Sequence, residues 1–179
     1  MNFTANQDFQ SQQISNQQDM NTQITYRVKV PVKRYILKYI QFQEGIDTNK
    51  IVFNNASFFA RLLKALTCTK SIFLAEKSEP TLVYDENILL ELTCNSKHGD
   101  IVFITNKNVR EFNNLMHKMI VNHLSAVVLL SKDFGIQEKD SIAKFMNSIG
   151  IEEDDGFSFE TAKKASYRSR VRTQKEIFK

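Results

Sequence analysis

Residues 106–130, NKNVREFNNLMHKMIVNHLSAVVLL, form the longest periodic run in the chain and decide how the remainder is read. Thr105 or Asn106 offers a short polar side chain that can accept a hydrogen bond from one of a helix's first unpaired N–H groups. Val109, Phe112, Leu115, Met116, Met119, Ile120 and Leu124 recur every three or four residues and so share one stripe. Past them the polar face vanishes, because Ala126, Val127, Val128, Leu129 and Leu130 are all apolar. The second half of the helix is therefore expected to be covered on more than one side. At about 1.5 Å per residue the run spans roughly 37 Å, enough to cross a small domain.

Upstream, Ile24, Tyr26, Val28 and Val30 alternate with Thr25, Arg27 and Lys29, the period of a strand with one solvated face. Pro31 is expected to stop that strand and open a helix through Ile40. Val32, Tyr35, Ile36 and Tyr39 or Ile40 would face inward, leaving Lys33, Arg34 and Lys38 outside. A short strand at 51–53 and a helix at 56–66, capped by Asn54 or Asn55, follow. Residues 82–84 and 88–94 read as two strands about an acidic turn at Asp85, Glu86 and Asn87, or as one long bent strand. Residues 101–104 read as a last short strand. Regular βαβ alternation and a Gly-rich strand-to-helix loop are both missing, which argues against a dinucleotide-binding fold. The expected class is α+β, a small antiparallel sheet covered by helices.

After Gly135, residues 137–148 carry a short helix, and Gly150 can take the left-handed conformation that ends it. Residues 152–155 are four consecutive acids, expected in a surface loop. Ser158 offers an N-cap with Glu160 in the favourable first turn, and a helix is expected from Phe159 past Arg172. These helices suggest a C-terminal bundle of helix-turn-helix or winged-helix type. Their nine-residue connection (149–157) is longer than the three or four residues of a compact turn.

Residues 1–23 are rich in Gln and Asn and poor in apolar surface, so a flexible arm is expected there. Residues 24–179 then form a single α+β domain whose segment 137–179 is helical and basic. The start of the chain has neither the basic nor the apolar region of a secretory signal, and no apolar run approaches the length of a membrane span. Cys68 and Cys94 lack metal-ligand spacing and read as reduced thiols, which suits the cytoplasm.

The net charge of +4 is modest, but its distribution is uneven. Arg27, Lys29, Lys33, Arg34 and Lys38 fall together without an acid among them. Lys163, Lys164, Arg168, Arg170, Arg172 and Lys175 form a second cluster, in which Lys164, Arg168, Arg172 and Lys175 share one helical stripe beside Tyr167. Such a helix can lie in or across a groove of double-stranded DNA, with phosphate contacts supplying affinity and Arg reading guanine edges. The favoured reading is a DNA-binding accessory or regulatory protein using both clusters. The alternative is a non-enzymatic assembly protein that meets other proteins, or itself, through the polar arm and the basic tail. No cofactor and no catalysis are expected. His117 and His123 are six apart and do not form an i, i+4 metal pair. Asp85 and Glu86 would need a third acid, Glu91 or Asp100, to hold a divalent ion.

Overall fold

The computed structural model describes residues 24–46, 52–53, 57–67, 82, 84–94 and 103–177. In chain order these give β1 (Ile24–Val32), α1 (Arg34–Glu44), β2 (Val52–Phe53), α2 (Phe58–Ala65), β3 (Glu86–Cys94), α3 (Asn106–Asp133), α4 (Glu138–Ile149) and α5 (Phe159–Ile177). A single 3₁₀ turn, Glu153–Asp155, lies between the last two helices. The domain is α+β, as expected from the sequence. The expected arm at 1–23, together with Cys68 and Asp100, lies outside the described residues.

In the sheet β3 is central, in the order β1-β3-β2. The β1–β3 pair is antiparallel from Ile24 opposite Cys94 to Val32 opposite Glu86. The short β2 joins the other edge of β3 in parallel, so the expected antiparallel arrangement describes the main pair and not the whole sheet. The period of two places Val30 and Val32 of β1, with Ile88 and Leu90 of β3, on the buried face. Arg27 and Lys29 stand on the wet side.

One expectation at the start of the domain is corrected. Pro31 neither ends β1 nor opens α1: the ladder continues to Val32, and α1 begins at Arg34. An edge strand tolerates a proline because one side of its ladder has no partner to lose. Of the two readings of 82–94, the single strand is the one found: among the described residues β3 runs from Glu86, with Glu86 and Asn87 paired inside it rather than forming a turn. At residues 101–104, only the isolated bridge residue Phe103 is assigned to a sheet among the described residues.

The turn from β1 into α1 depends on a side chain from the long helix. Asn113 is buried on α3, four residues after Val109 and within the apolar stripe. Its Oδ1 accepts from the Lys33 backbone N–H at 3.1 Å. Its Nδ2 donates to the Pro31 carbonyl at 3.1 Å and to the Val109 carbonyl at 2.9 Å. One amide thereby supplies a donor and an acceptor to the backbone corner where the end of the ladder turns into the helix.

Around this corner one core forms. Tyr35, Ile36, Leu37, Tyr39 and Ile40 of α1 meet Phe112, Met116, Ile120 and Leu124 of α3 in it, each worth about 1.5–3 kcal/mol for a fully buried large side chain. Ile142, Phe145, Met146 and Ile149 of α4, then Ile151, Phe157 and Ala162, extend it through the C-terminal helices. Thr105 caps α3 by accepting from the Asn108 N–H at 3.2 Å, and Ser158 accepts from the Thr161 N–H at 3.3 Å at the start of α5. For α2 the capping contact comes from Ser57, whose Oγ accepts from the Phe59 N–H at 3.1 Å. The expected caps Asn54 and Asn55 lie outside the described residues.

The expectation that the second half of α3 is wrapped on several sides fails. Val128 is buried, yet Leu129 and Leu130 stay 46% and 62% exposed. Leu115, expected inside, is also exposed, because the inner stripe runs through Phe112, Met116 and Ile120 and leaves it outside that arc.

Asn113→Leu keeps the volume but strands the Lys33 N–H and the Pro31 carbonyl. It should lower unfolding stability by roughly 2–4 kcal/mol, read as a shift of the urea midpoint at unchanged m-value. Asn122→Leu, at an exposed position of the same helix, should change the midpoint by far less.

Candidate nucleic-acid interface

The cationic residues singled out by the sequence divide into two groups. Arg34 lies at the start of α1, and its Nε donates to Glu86 Oε1 at 3.3 Å, tying the helix to the first residue of β3. Lys38, one turn later, reaches Asp155 Oδ2 at 2.7 Å and Glu152 Oε1 at 3.8 Å. Arg170 is largely buried on α5, pairs with Glu138 at the start of α4, and also donates to the Ser166 carbonyl at 3.4 Å. These three cations act as braces between elements.

The acidic run at 152–155 owes its shape to Lys38. Asp155 is turned inward and only 3% exposed, correcting the expectation that all four acids lie in a surface loop. Its Oδ2 also accepts from the Glu152 N–H at 2.7 Å, closing a reciprocal capping box across the 3₁₀ turn. The following residues fix Phe157, whose ring stacks on Tyr35 with centroids 5.1 Å apart. Two of the four acids, Glu152 and Asp155, engage Lys38 of α1.

Lys29, Lys33, Lys163, Lys164 and Arg168 are exposed, and Arg27 and Arg172 are also on the surface. Lys33 Nζ sits 5.9 Å from the centre of the Tyr35 ring, within cation–π range. On α5 the buried residues Ala162 and Ser166 set the inner side of the helix. Lys164, Arg168 and Arg172 recur at four-residue spacing on the outer side, as the sequence implied. Tyr167 beside them is 62% exposed. The side chain of Lys175, the expected last member of the stripe, lies outside the described residues. Glu138, Glu160, Lys163, Lys164 and Tyr167 line a shallow cleft of about 350 Å³ along α4 and α5.

Two Tyr–His contacts join α1 to α3. The Tyr35 hydroxyl and His117 Nδ1 are 3.1 Å apart, and the Tyr39 hydroxyl and His123 Nδ1 are 3.3 Å apart. Burial, with a smaller contribution from Tyr84, pushes the Tyr35 phenol up to about 12. Burial first, and the nearby Lys33 charge second, hold His117 below its ordinary value. Both groups are therefore neutral near pH 7. His117 also meets the Phe157 ring edge-on, and His123 meets Phe145 in the same way, so both imidazoles serve the helix packing.

Among the described residues, no cluster of three or more His, Cys, Asp or Glu side chains is placed to hold a metal ion. Glu86 is engaged by Arg34. Among the same residues, no helix is long and apolar enough to cross a membrane. Sequence reasoning missed Asn113, Asp155 and the Tyr–His contacts. Asn113 had a legible signal, a polar residue within an apolar stripe. Asp155 had a weaker one, an acid three residues after Glu152 and just before a glycine. The chain matches no protein-family model, no curated protein and no solved structure.

Because folded His117 resists protonation, the unfolded chain binds more protons below the ordinary histidine value of 6.5. Stability should therefore fall as pH drops from 7 toward 5. The slope of Tm against pH should flatten in His117→Gln; an unchanged slope would contradict the buried neutral imidazole. Removing the inward carboxylate by Asp155→Ala should cost roughly 2 kcal/mol in chemical unfolding, since Lys38 is only partly solvated and the Glu152 N–H loses its acceptor.

Proposed function

We propose that the protein binds double-stranded DNA through the outer face of α5, as an accessory or regulatory factor without catalytic activity of its own. The observation that carries this reading is the exposed run of Lys164, Arg168 and Arg172 on successive turns, with Lys163 and Tyr167 beside it. Cations spaced by one helical turn, about 5.4 Å, suit a track of phosphates along a groove wall. Arg168 and Arg172 add planar donors that can read a guanine edge, and Tyr167 adds an apolar ring for sugar contact. Of the four acids that precede α5, Asp155 is withdrawn toward Lys38.

In this reading α4 backs α5 as the first helix of a helix-turn-helix variant with an elongated turn, braced by Arg170 and Glu138. Lys29 and Lys33 supply a second cationic patch for flanking phosphate. Arg34, Lys38 and Arg170 do not contribute to DNA contact, since each is held by a carboxylate.

Fluorescence anisotropy with a duplex across a salt series tests the proposal. With about four phosphates neutralised, log K should fall against log salt with a slope of roughly −3.6. Lys164→Gln should reduce that slope by about 1, and Arg168→Glu with Arg172→Glu should abolish binding at low salt while the thermal melt is retained. Duplex affinity unchanged by the double reversal would overturn the assignment of α5.

A further inference from the structure

Three helices of this protein end with the same dipeptide, Gly45-Ile46, Gly135-Ile136 and Gly150-Ile151. In each the glycine is left-handed, with φ of 65°, 73° and 71°. In each the isoleucine N–H reaches back to a carbonyl five residues earlier: Ile46 to Gln41 at 3.0 Å, Ile136 to Ser131 at 3.0 Å and Ile151 to Met146 at 2.9 Å. This closing motif commonly presses the residue after the glycine onto the helix's last apolar turn. Ile151 is accordingly 4% exposed, and Ile46 packs against the core. Ile136 has the same backbone and remains 36% exposed.

Ile136 belongs to an apolar tip where α3 turns into α4. Phe134 is 82% exposed, Leu130 62% and Leu129 46%. Leu130 and Phe134 are four residues apart, on the same side of the helix end. The four side chains present on the order of 400 Å² of apolar surface, within the range of the largest patch on a typical monomer, which is often functional. Their surroundings carry both signs, since Lys132 and Asp133 are exposed on one side of the turn and Lys139 and Asp140 on the other.

We propose that this tip is the contact between two copies of the chain, related by a twofold axis. An isologous interface must be complementary to itself, and a patch edged by equal numbers of acids and bases meets that requirement. Two such tips bring together roughly 800 Å² of apolar surface, and the charged edges carry the total past the ~1,000 Å² expected of a specific interface. Across the axis Lys132 of one copy faces Asp133 of the other, twice. This proposal does not rest on the DNA reading, because its apolar residues lie on the α3–α4 turn rather than on the outer face of α5.

Light scattering coupled to size exclusion on the full chain tests this. At about 100 μM the mass should approach twice 20.8 kDa, and it should return to 20.8 kDa in a variant carrying Leu130→Ser and Phe134→Ser. Both side chains are exposed, so the circular dichroism spectrum and melting temperature of that variant should be preserved. Lys132→Glu alone and Asp133→Lys alone should each weaken self-association at least tenfold. Mixing the two charge variants should restore it, since each then meets an opposite charge. A chain that stays monomeric at that concentration overturns the proposal and leaves the tip to a different partner. A dimer unaffected by the double serine variant, or charge variants that mixing does not rescue, would also overturn it.

Discussion

The fold turns on one amide. Asn113 stands in the apolar stripe of the longest helix and satisfies the two backbone groups exposed where β1 gives way to α1. A buried unpaired N–H or carbonyl costs about 1–3 kcal/mol, a large share of the 5–15 kcal/mol that holds most domains folded. Because the same amide also donates to Val109, its rotamer is fixed from within its own helix. The angle at which α1 leaves the sheet is therefore set by α3, and that angle directs Tyr35, Tyr39, Lys38 and Arg34 toward their partners. Lys38 then draws Asp155 inward, and the turn that follows brings Phe157 against Tyr35.

This chain of dependence explains why so few of the basic residues are equivalent. Lys38, opposite the buried Asp155, is already engaged, and removing either member leaves the other without its partner in a poorly solvated place. Cations on the outer side of α5 face water, where their mutual repulsion is screened and the approach of a polyanion would be favourable. The net charge hides this division. Arg34, Lys38 and Arg170 contribute as much to it as Lys164 and Arg168 do, yet their work is to join helices and strands.

What could be read from the sequence was what local chemistry decides. Thr105 and Ser158 as caps, Gly150 as a helix end and the stripe of Lys164, Arg168 and Arg172 all follow from spacings of a few residues. What could not be read depended on partners far along the chain. Pro31 looks like a helix start until it is placed opposite Asn87 of β3, with its carbonyl accepting from Asn113 more than eighty residues away. Glu86 looks like part of a turn until it is placed opposite Val32 and beside Arg34. Asp155 looks like one of four solvated acids until Lys38 arrives from 117 residues upstream. The apolar end of α3 misled in the opposite direction. Five consecutive apolar residues imply cover, but the domain leaves Leu129 and Leu130 at the surface.

The most direct measurement of the division between bracing and exposed cations is a two-dimensional NMR titration of the full chain with a short DNA duplex. The account predicts that the resonances of Lys164, Tyr167, Arg168 and Arg172 move progressively, while those of Lys38, Asp155 and Arg170 stay in place. Movement centred on Lys38 and Asp155, with α5 unaffected, would contradict it.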